Sequence, residues 1–271
     1  MTLLIINISV AYEQYRKPTI WSERESIEVF HLLFLRAFGA RVGRDLYALK
    51  GGCNLRFFHK SVRYSEDMDL DVRTMSVATL RKNVDRVLES RPFLLTLRAQ
   101  HIEIERTSRP KQTETTQRWK VSLRIGAVAT EVPTRIEFSR RPVDPDVVLE
   151  PVDPEIIHHY RLYPVLVQHY TAPAAFAQKV AALALRSQTQ ARDLFDLKLL
   201  LDAGANVVPM SQDTLARIPR AIENALTSGY DAFAGQVLAY LEPEYQEHYR
   251  PRHVWEQLQQ QVVDALEALQ S

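Results

Sequence analysis

A single cysteine, Cys53, occurs among the 271 residues, so neither an internal disulfide nor a cysteine-based zinc site is available. No apolar run reaches the roughly 18–20 residues needed to span a bilayer. The opening stretch from Thr2 to Ala11 is apolar, but it lacks a basic lead-in and a small-residue cleavage site. It reads as a strand or arm, not a signal peptide. Neither sign of charge dominates, since the formal net charge is +1. No apolar seam stands out, no internal repeat recurs, and no low-complexity tract interrupts the chain. These absences point to a cytoplasmic, monomeric protein with no membrane partner. Its length suits one large domain, or a catalytic core with a helical appendage.

The small net charge conceals an uneven distribution. Between Arg91 and Arg141 there are eleven Arg or Lys against five Glu, whereas the stretch from Tyr240 onward holds six acidic residues and two basic ones. A basic middle section suits a polyanionic partner, because phosphate neutralisation supplies most of the sequence-independent affinity for nucleic acid. A solvated sheet face would show the same charge.

Ser22 and Glu25 form a capping box ahead of Ile27, Phe30, Phe34 and Phe38, which predicts an amphipathic helix of four to five turns. The short apolar run Leu46–Leu49 ends at Gly51-Gly52 and reads as a buried strand and a sharp turn. A helix is expected from about Asn54 to Lys60. Met68–Val72 alternates as a half-buried strand does, and Val77–Leu88 has helical spacing behind a Ser76 cap. From Phe93 to Phe138, alternation at Leu95 and Leu97, Ile102 and Ile104, Val121 to Ile125, and Ile136 and Phe138 predicts strands. The polar stretch Ser108–Gln117 reads as a long hairpin connection. Pro142, Pro145, Pro151 and Pro154 mark a linker, and everything beyond it is expected to be helical. Helices are placed from Pro173 to Arg186, from Ala191 to Ala203 with Gly204 as the stop, and over 212–227, 230–241 and 254–269. The result is an α+β chain: residues 1–150 form a mixed α/β core and 151–271 a helical domain.

The chemistry concentrates in Leu49-Lys50-Gly51-Gly52 and Arg63-Tyr64-Ser65-Glu66-Asp67-Met68-Asp69-Leu70-Asp71. Residues two apart on a strand share a face, so Asp67, Asp69 and Asp71 project together. Carboxylates at that spacing bind hard cations such as Mg²⁺. They repel one another unless something positive lies between them. Surface acidic triplets are common, so the glycine pair carries weight. A Gly-Gly turn between strand and helix presents backbone N–H groups at a helix N-terminus, a ready phosphate site, and glycine lets the backbone approach the anion closely. Together these segments can hold a nucleoside triphosphate: Lys50, Gly51 and Gly52 take phosphates, and carboxylates of the acidic strand take the metal.

The Gly-Gly and Arg-Tyr-Ser-Glu-Asp-Met-Asp elements resemble the GG…RxSxDxD pattern of the AbiE-type (AbiEii/AbiGii) nucleotidyltransferase toxins of type IV toxin–antitoxin systems. Phe176-Ala-Gln-Lys179, then Arg192-Asp193-Leu-Phe-Asp196, match that family's helical lysine and RDxxD helix in order. The resemblance runs from Lys50 to Asp196, and the only departure noted is Cys53-Asn54 in place of a small pair. It implies a polymerase-β-like core with a mixed sheet followed by a C-terminal helical domain. It also implies a nucleotidyltransferase toxin with Asp67 and Asp69 as Mg²⁺ ligands and catalytic residues, joined by Lys179 and Asp193. The implied donor is an NTP, the acceptor an RNA, at the tRNA 3′ end, and the consequence inhibition of translation. A cognate antitoxin is implied too. In parts of the family an antitoxin modifies a hydroxyl at the place of Ser65, which could otherwise contact a phosphate or close the turn. Lys179 lies beside the Phe176, Val180 and Leu183 stripe, so it either snorkels from the core edge or neutralises triphosphate charge. Asp193 and Asp196 share a face near a helix N-terminus, and the reading makes Asp193 functional and Asp196 structural. Glu137 is either a third carboxylate or a solvated strand residue beside Arg135. Two alternatives stand beside this reading: transfer to a protein or small-molecule hydroxyl, and a non-catalytic RNA-binding protein on the same fold.

Overall fold

The computed structural model describes residues 21–126, 131–140, 146–206 and 209–270. The arm expected at Thr2–Ala11, and Pro142 and Pro145 of the expected linker, lie outside them. Helix α1 (Glu23–Gly39) opens with both reciprocal bonds of the Ser22/Glu25 capping box and buries Phe30, Phe34 and Phe38 completely. Strand β1 (Tyr47–Lys50) runs into α2 (Gly51–Phe58), followed by β2 (Asp67–Val72). Next comes α3 (Val77–Leu88), whose N-cap Ser76 accepts from the Thr79 amide. Helix α4 (Arg91–Ala99) leads to strands β3 (Ile102–Gln112), β4 (Thr116–Ile125), β5 (Glu131–Ser139) and β6 (Val147–Pro151). After α5 (Pro154–His159), strand β7 (Leu166–Tyr170) completes one seven-stranded sheet of order β3-β4-β5-β2-β1-β7-β6. The β2–β5 and β1–β7 pairs are parallel and the other pairs antiparallel, so the expected α+β fold with a mixed sheet is the one observed. Helices α6 (Ala172–Leu185), α7 (Ala191–Asp202), α8 (Gln212–Leu226), α9 (Tyr230–Gln236), α10 (Pro243–Tyr249) and α11 (Arg252–Ala268) follow.

Two hydrophobic cores meet at α2. The first lies between the sheet and α1, α3 and α4, and takes Cys53 and Phe57 from α2. The second lies among α6 to α9 and α11, and takes Leu55. The glycine-led helix is therefore wedged between the cores, with its N-terminus fixed from both sides. Arg56 of α2 makes a second tie: its guanidinium donates to Glu28 of α1 (2.8 Å) and to the Ser61 carbonyl (2.9 Å), and pairs with Glu242 (2.7 Å). Burial raises the pKa of Glu28 despite that pairing.

Four expectations are corrected. Residues 91–99 form a helix, not a strand: Pro92 starts it, Phe93 and Leu97 are buried four apart, and Leu95 is 52% exposed. The Leu95/Leu97 alternation was a chance overlay on a helical stripe. The polar stretch Ser108–Gln117 is mostly strand, because β3 runs to Gln112 and β4 starts at Thr116 with a tight turn between. Its outward face is open to solvent and needs no apolar residues. The half beyond Pro151 is not all helical: Leu166–Tyr170 returns to the sheet beside β1, where Leu49 pairs with His169. His169 and Gln168 broke the apolar signature of that short strand. The helix placed at Asn54–Lys60 begins instead at Gly51.

Candidate active site

Lys50 ends β1 and Gly51 begins α2 with no residue between them. Gly51 has φ +67, a left-handed conformation that a side chain resists, and a Cβ there would lie 3.1 Å from Oδ2 of Asp69. A Cβ on Gly52 would meet Oγ of Ser65 at 2.5 Å and Nη2 of Arg63 at 3.4 Å. Gly51 is thus required by backbone as well as by contact, and Gly52 by contact. Gly51→Ala is expected to cost roughly 1–2 kcal/mol of stability from the left-handed backbone, read by chemical denaturation. It should cost proportionally more in transfer rate, because the new methyl group presses on Asp69. Cys53 and Asn54 next to the glycines also have work: Sγ of Cys53 donates to the Asp67 carbonyl (3.3 Å), and Nδ2 of Asn54 donates to the Tyr170 carbonyl (3.0 Å).

Along β2, Met68, Leu70 and Val72 face the core, and Asp67, Asp69 and Asp71 alternate with them. The three carboxylates have different fates. Asp71 is buried, paired with Lys50 and accepting from the Tyr170 hydroxyl at 2.8 Å. It is neutralised in place. Asp67 is half-buried with Oδ2 2.6 Å from Arg135 of β5. Burial raises its pKa, Arg135 opposes that, and Asp69 and Glu66 add to it. Asp69, next to Gly51, has no hydrogen bond or ion pair to its carboxylate among the described residues. Its pKa is raised by burial first, with Glu137 adding to the effect and Lys50, Arg135 and Lys179 opposing it. Glu137 sits in register with Asp69 across the parallel β2–β5 pair, and its carboxylate is held 2.6 Å from Nε of Arg118.

Asp69 is therefore a carboxylate short of positive charge, with a second carboxylate two residues away on the same face. Among the described residues, no three His, Cys, Asp or Glu side chains cluster closely enough to hold an ion by themselves. That donor set fits Mg²⁺, which keeps several waters and is bound through one or two carboxylates together with substrate phosphates. A cation touching both aspartates has to share Asp67 with Arg135.

Facing the sheet across a cleft of about 600 Å³, α6 brings Lys179 opposite Lys50, Gly51 and Asp69, with Arg186 and Arg217 farther along the wall. Nζ of Lys179 lies 3.0 Å from Asp193 and 2.5 Å from Asp196, both wholly buried on α7. Arg63 donates from Nη2 to both oxygens of Asp196 at 3.1 Å, and Nε of Arg186 lies 2.9 Å from Oδ2 of Asp193. Burial disfavours the Lys179 ammonium, but Asp196 and Asp193 outweigh it and its pKa is raised. Burial likewise works against the Asp196 carboxylate, and Arg63 and Lys179 overcome it, so its pKa is lowered. Three cations share two carboxylates, and the surplus positive charge faces the cleft.

Lys50, Gly51, Asp69 and Lys179 thus line one space. Asp67 stands beside it with Arg135, Ser65 turns its hydroxyl to the Asp67 carbonyl (2.8 Å), and Asp193 lies buried beneath Lys179. Arg63, Arg135, Tyr170 and Arg186 had no assigned role in the sequence reading. Only their distant partners reveal one, and the Arg63–Asp196 pair spans 133 positions of chain.

A glycine-led helix start, an acidic strand and a buried lysine on opposite walls of one cleft define a nucleotidyltransferase on a mixed α+β sheet. The chain belongs to the AbiEii family, described as "Nucleotidyl transferase AbiEii toxin, Type IV TA system", which it matches over residues 33–268. That membership implies a nucleoside triphosphate donor and a cognate antitoxin. In fold it is similar to JHP933 from Helicobacter pylori (TM-score 0.55, 16% identity, 92% of this chain and 96% of that one). A crystal structure of a putative nucleotidyltransferase from H. pylori is alike to the same degree (TM-score 0.56, 17% identity, 90% and 96%). So is MenT4, a nucleotidyltransferase toxin from Mycobacterium tuberculosis (TM-score 0.55, 16% identity, 93% and 96%). No curated protein matches the chain in sequence. Among the described residues no helix is long and apolar enough to cross a membrane.

Proposed function

We propose that the chain transfers a nucleotide from an NTP to an RNA acceptor, the tRNA 3′ end, in a Mg²⁺-dependent reaction that inhibits translation. It acts as a cytoplasmic monomer restrained by its antitoxin. The observation that carries this reading is Asp69: a partly buried carboxylate with no ion pair among the described residues, beside Asp67, at the helix N-terminus of α2 and across the cleft from Lys179. Residues 1–150 are assigned to the catalytic core and 151–271 to the helical part that supplies Lys179 and Asp193.

In this mechanism the first amides of α2, behind Lys50, receive phosphate oxygens. Gly51 and Gly52 let the phosphates come close because no Cβ stands between them and Asp69 or Ser65. Asp67 and Asp69 would hold Mg²⁺, and the ion would supply Lewis acidity toward the phosphoryl oxygens. Lys179 and Arg186 face the charge that gathers on the departing pyrophosphate. Asp193 lies between these two cations and holds the lysine in place. The acceptor hydroxyl oxygen bonds to the α-phosphorus as the bond to pyrophosphate breaks, and the hydroxyl proton leaves to water.

The test is incubation of the protein with total RNA, Mg²⁺ and each α-labelled NTP in turn, with and without EDTA. Label on RNA that EDTA abolishes is the expected result. Label confined to protein or to small molecules, or no label with any nucleotide, sinks the RNA reading.

A further inference from the structure

The sheet face that carries Asp67 and Asp69 does not end at β2. Register carries it outward in two rows: Asp69 pairs with Glu137, Glu137 with Arg118, and Arg118 with Lys111. Beside it, Asp67 pairs with Arg135, Arg135 with Lys120, and Lys120 with Ser108. Neighbouring strands are about 4.8 Å apart, so Lys111 stands roughly 14 Å from Asp69, three strands out. Charge changes sign along both rows, acidic at β2 and basic at β4.

That face is open. The residues between these positions, Trp119, Val121, Ile136 and Phe138, are buried on the other face, where α1, α3 and α4 pack. Arg109, by contrast, reaches Asp85 and Glu89 of α3 on the helical side. Lys111 and Lys120 are exposed, and among the described residues neither forms an ion pair. Farther along the same strands the charges cancel: Arg124 pairs with Glu103 and Glu105, and Arg106 with Glu131. Among the described residues of this face, the unpaired positive charge is Lys111 and Lys120, just beyond Arg118 and Arg135, which pair with Glu137 and Asp67. A terminal hydroxyl must reach Asp69, and a polyanionic strand leading to it gains most by lying over Lys120 and Lys111.

We propose that this open face of β3–β5 is the track for the acceptor RNA, with Lys111 and Lys120 binding backbone phosphates a few nucleotides from the reacting end. The assignment rests on the RNA-acceptor reading above. It gives the acceptor a path separate from the nucleotide cleft, which opens on the opposite side of β2 towards α6.

The experiment compares wild type with a Lys111→Glu/Lys120→Glu double variant. The control is Arg81→Glu/Lys82→Glu, two exposed residues on α3 in the other layer. KM and kcat for labelled RNA and for NTP are measured over a series of salt concentrations. The expected result is a rise of about tenfold or more in the RNA KM and a shallower salt dependence, by about 1–2 in log–log slope for two lost phosphate contacts. NTP KM and melting temperature should stay put, and the control should behave as wild type. Lys111→Gln/Lys120→Gln should fall between. If wild type labels RNA and the double variant does so with unchanged KM and slope, the track assignment alone is overturned. If wild type labels no RNA at all, the reading beneath it falls first.

Discussion

Asp69→Asn is expected to abolish nucleotidyl transfer, on the order of a thousandfold or more, while the folded chain becomes no less stable. Ordinary loss of a catalytic residue does not predict the second half; the electrostatics do. Burial raises the Asp69 pKa above its ordinary 3.8, against the pull of Lys50, Arg135 and Lys179. The folded state therefore binds this proton more tightly than the unfolded one. Stability attached to the group is present at low pH and declines as pH rises from about 3.8 through the raised folded value. Above that window the wild type carries the whole penalty of an ionised, unpartnered carboxylate, and the amide carries none. Urea unfolding from pH 4 to pH 8 should show the variant gaining on the wild type as pH increases. Mg²⁺ with NTP should raise the melting temperature of the wild type and not of Asp69→Asn, since only the former has the ligand. A variant that unfolds more easily at neutral pH would mean that Asp69 is already compensated and is a structural residue.

How much of this could be read from the chain depended on how local each signal was. The Ser22/Glu25 box, the Ser76 cap and the Gly204 stop act within one helical turn, and each appears where the sequence puts it. The glycine pair and the alternating aspartates are equally local, so the buried strand and the acidic strand were legible before any contact was known, whereas the turn expected at Gly51-Gly52 is instead the first turn of the helix. What escaped was long-range. Strand β7 is recognisable only from its parallel pairing with β1, because His169 spends its polarity on Asn54, at 2.9 Å, far back in the chain. Leu95 and Leu97 imitated a strand because two residues cannot distinguish a period of 2 from one of 3.6. The charge cluster was half legible. Lys179 and the two aspartates came from the motif, but Arg63 gains its partner only when residues 62–64 lie against 240–242, as the Arg63–Leu241 bridge and the Tyr64 amide to Tyr240 carbonyl bond (2.8 Å) show.

The last prediction sets Lys179→Met against Asp196→Asn, because the two changes should injure different properties. With lysine removed, Asp193 keeps Arg186 and Asp196 keeps Arg63, two balanced pairs. The expected stability cost is about 1–3 kcal/mol. The surplus cation facing the triphosphate is gone, however, so transfer should fall by roughly a hundred- to a thousandfold. With Asp196 neutralised, the nearly buried Arg63 loses its carboxylate and Lys179 leans on Asp193 alone. Breaking a buried pair in this way costs about 3–5 kcal/mol, and it loosens the segment that joins the helical part to the loop before β2. The pH dependence follows from the two shifts. Asp196 is lowered, so its contribution is present above its ordinary 3.8 and is lost as pH falls through the lower folded value. Lys179 is raised, so its contribution is present below its ordinary 10.5 and is lost as pH rises through the higher folded value. Between these limits both contributions are complete, and denaturation at neutral pH compares the variants directly. Equal destabilisation by the two, with activity falling only in step with the unfolded fraction, would reduce Lys179 to a structural tie. A stable, folded Lys179→Met protein that binds NTP weakly and transfers almost nothing would make the ammonium a catalytic group, held in the cleft by acids that never touch the substrate.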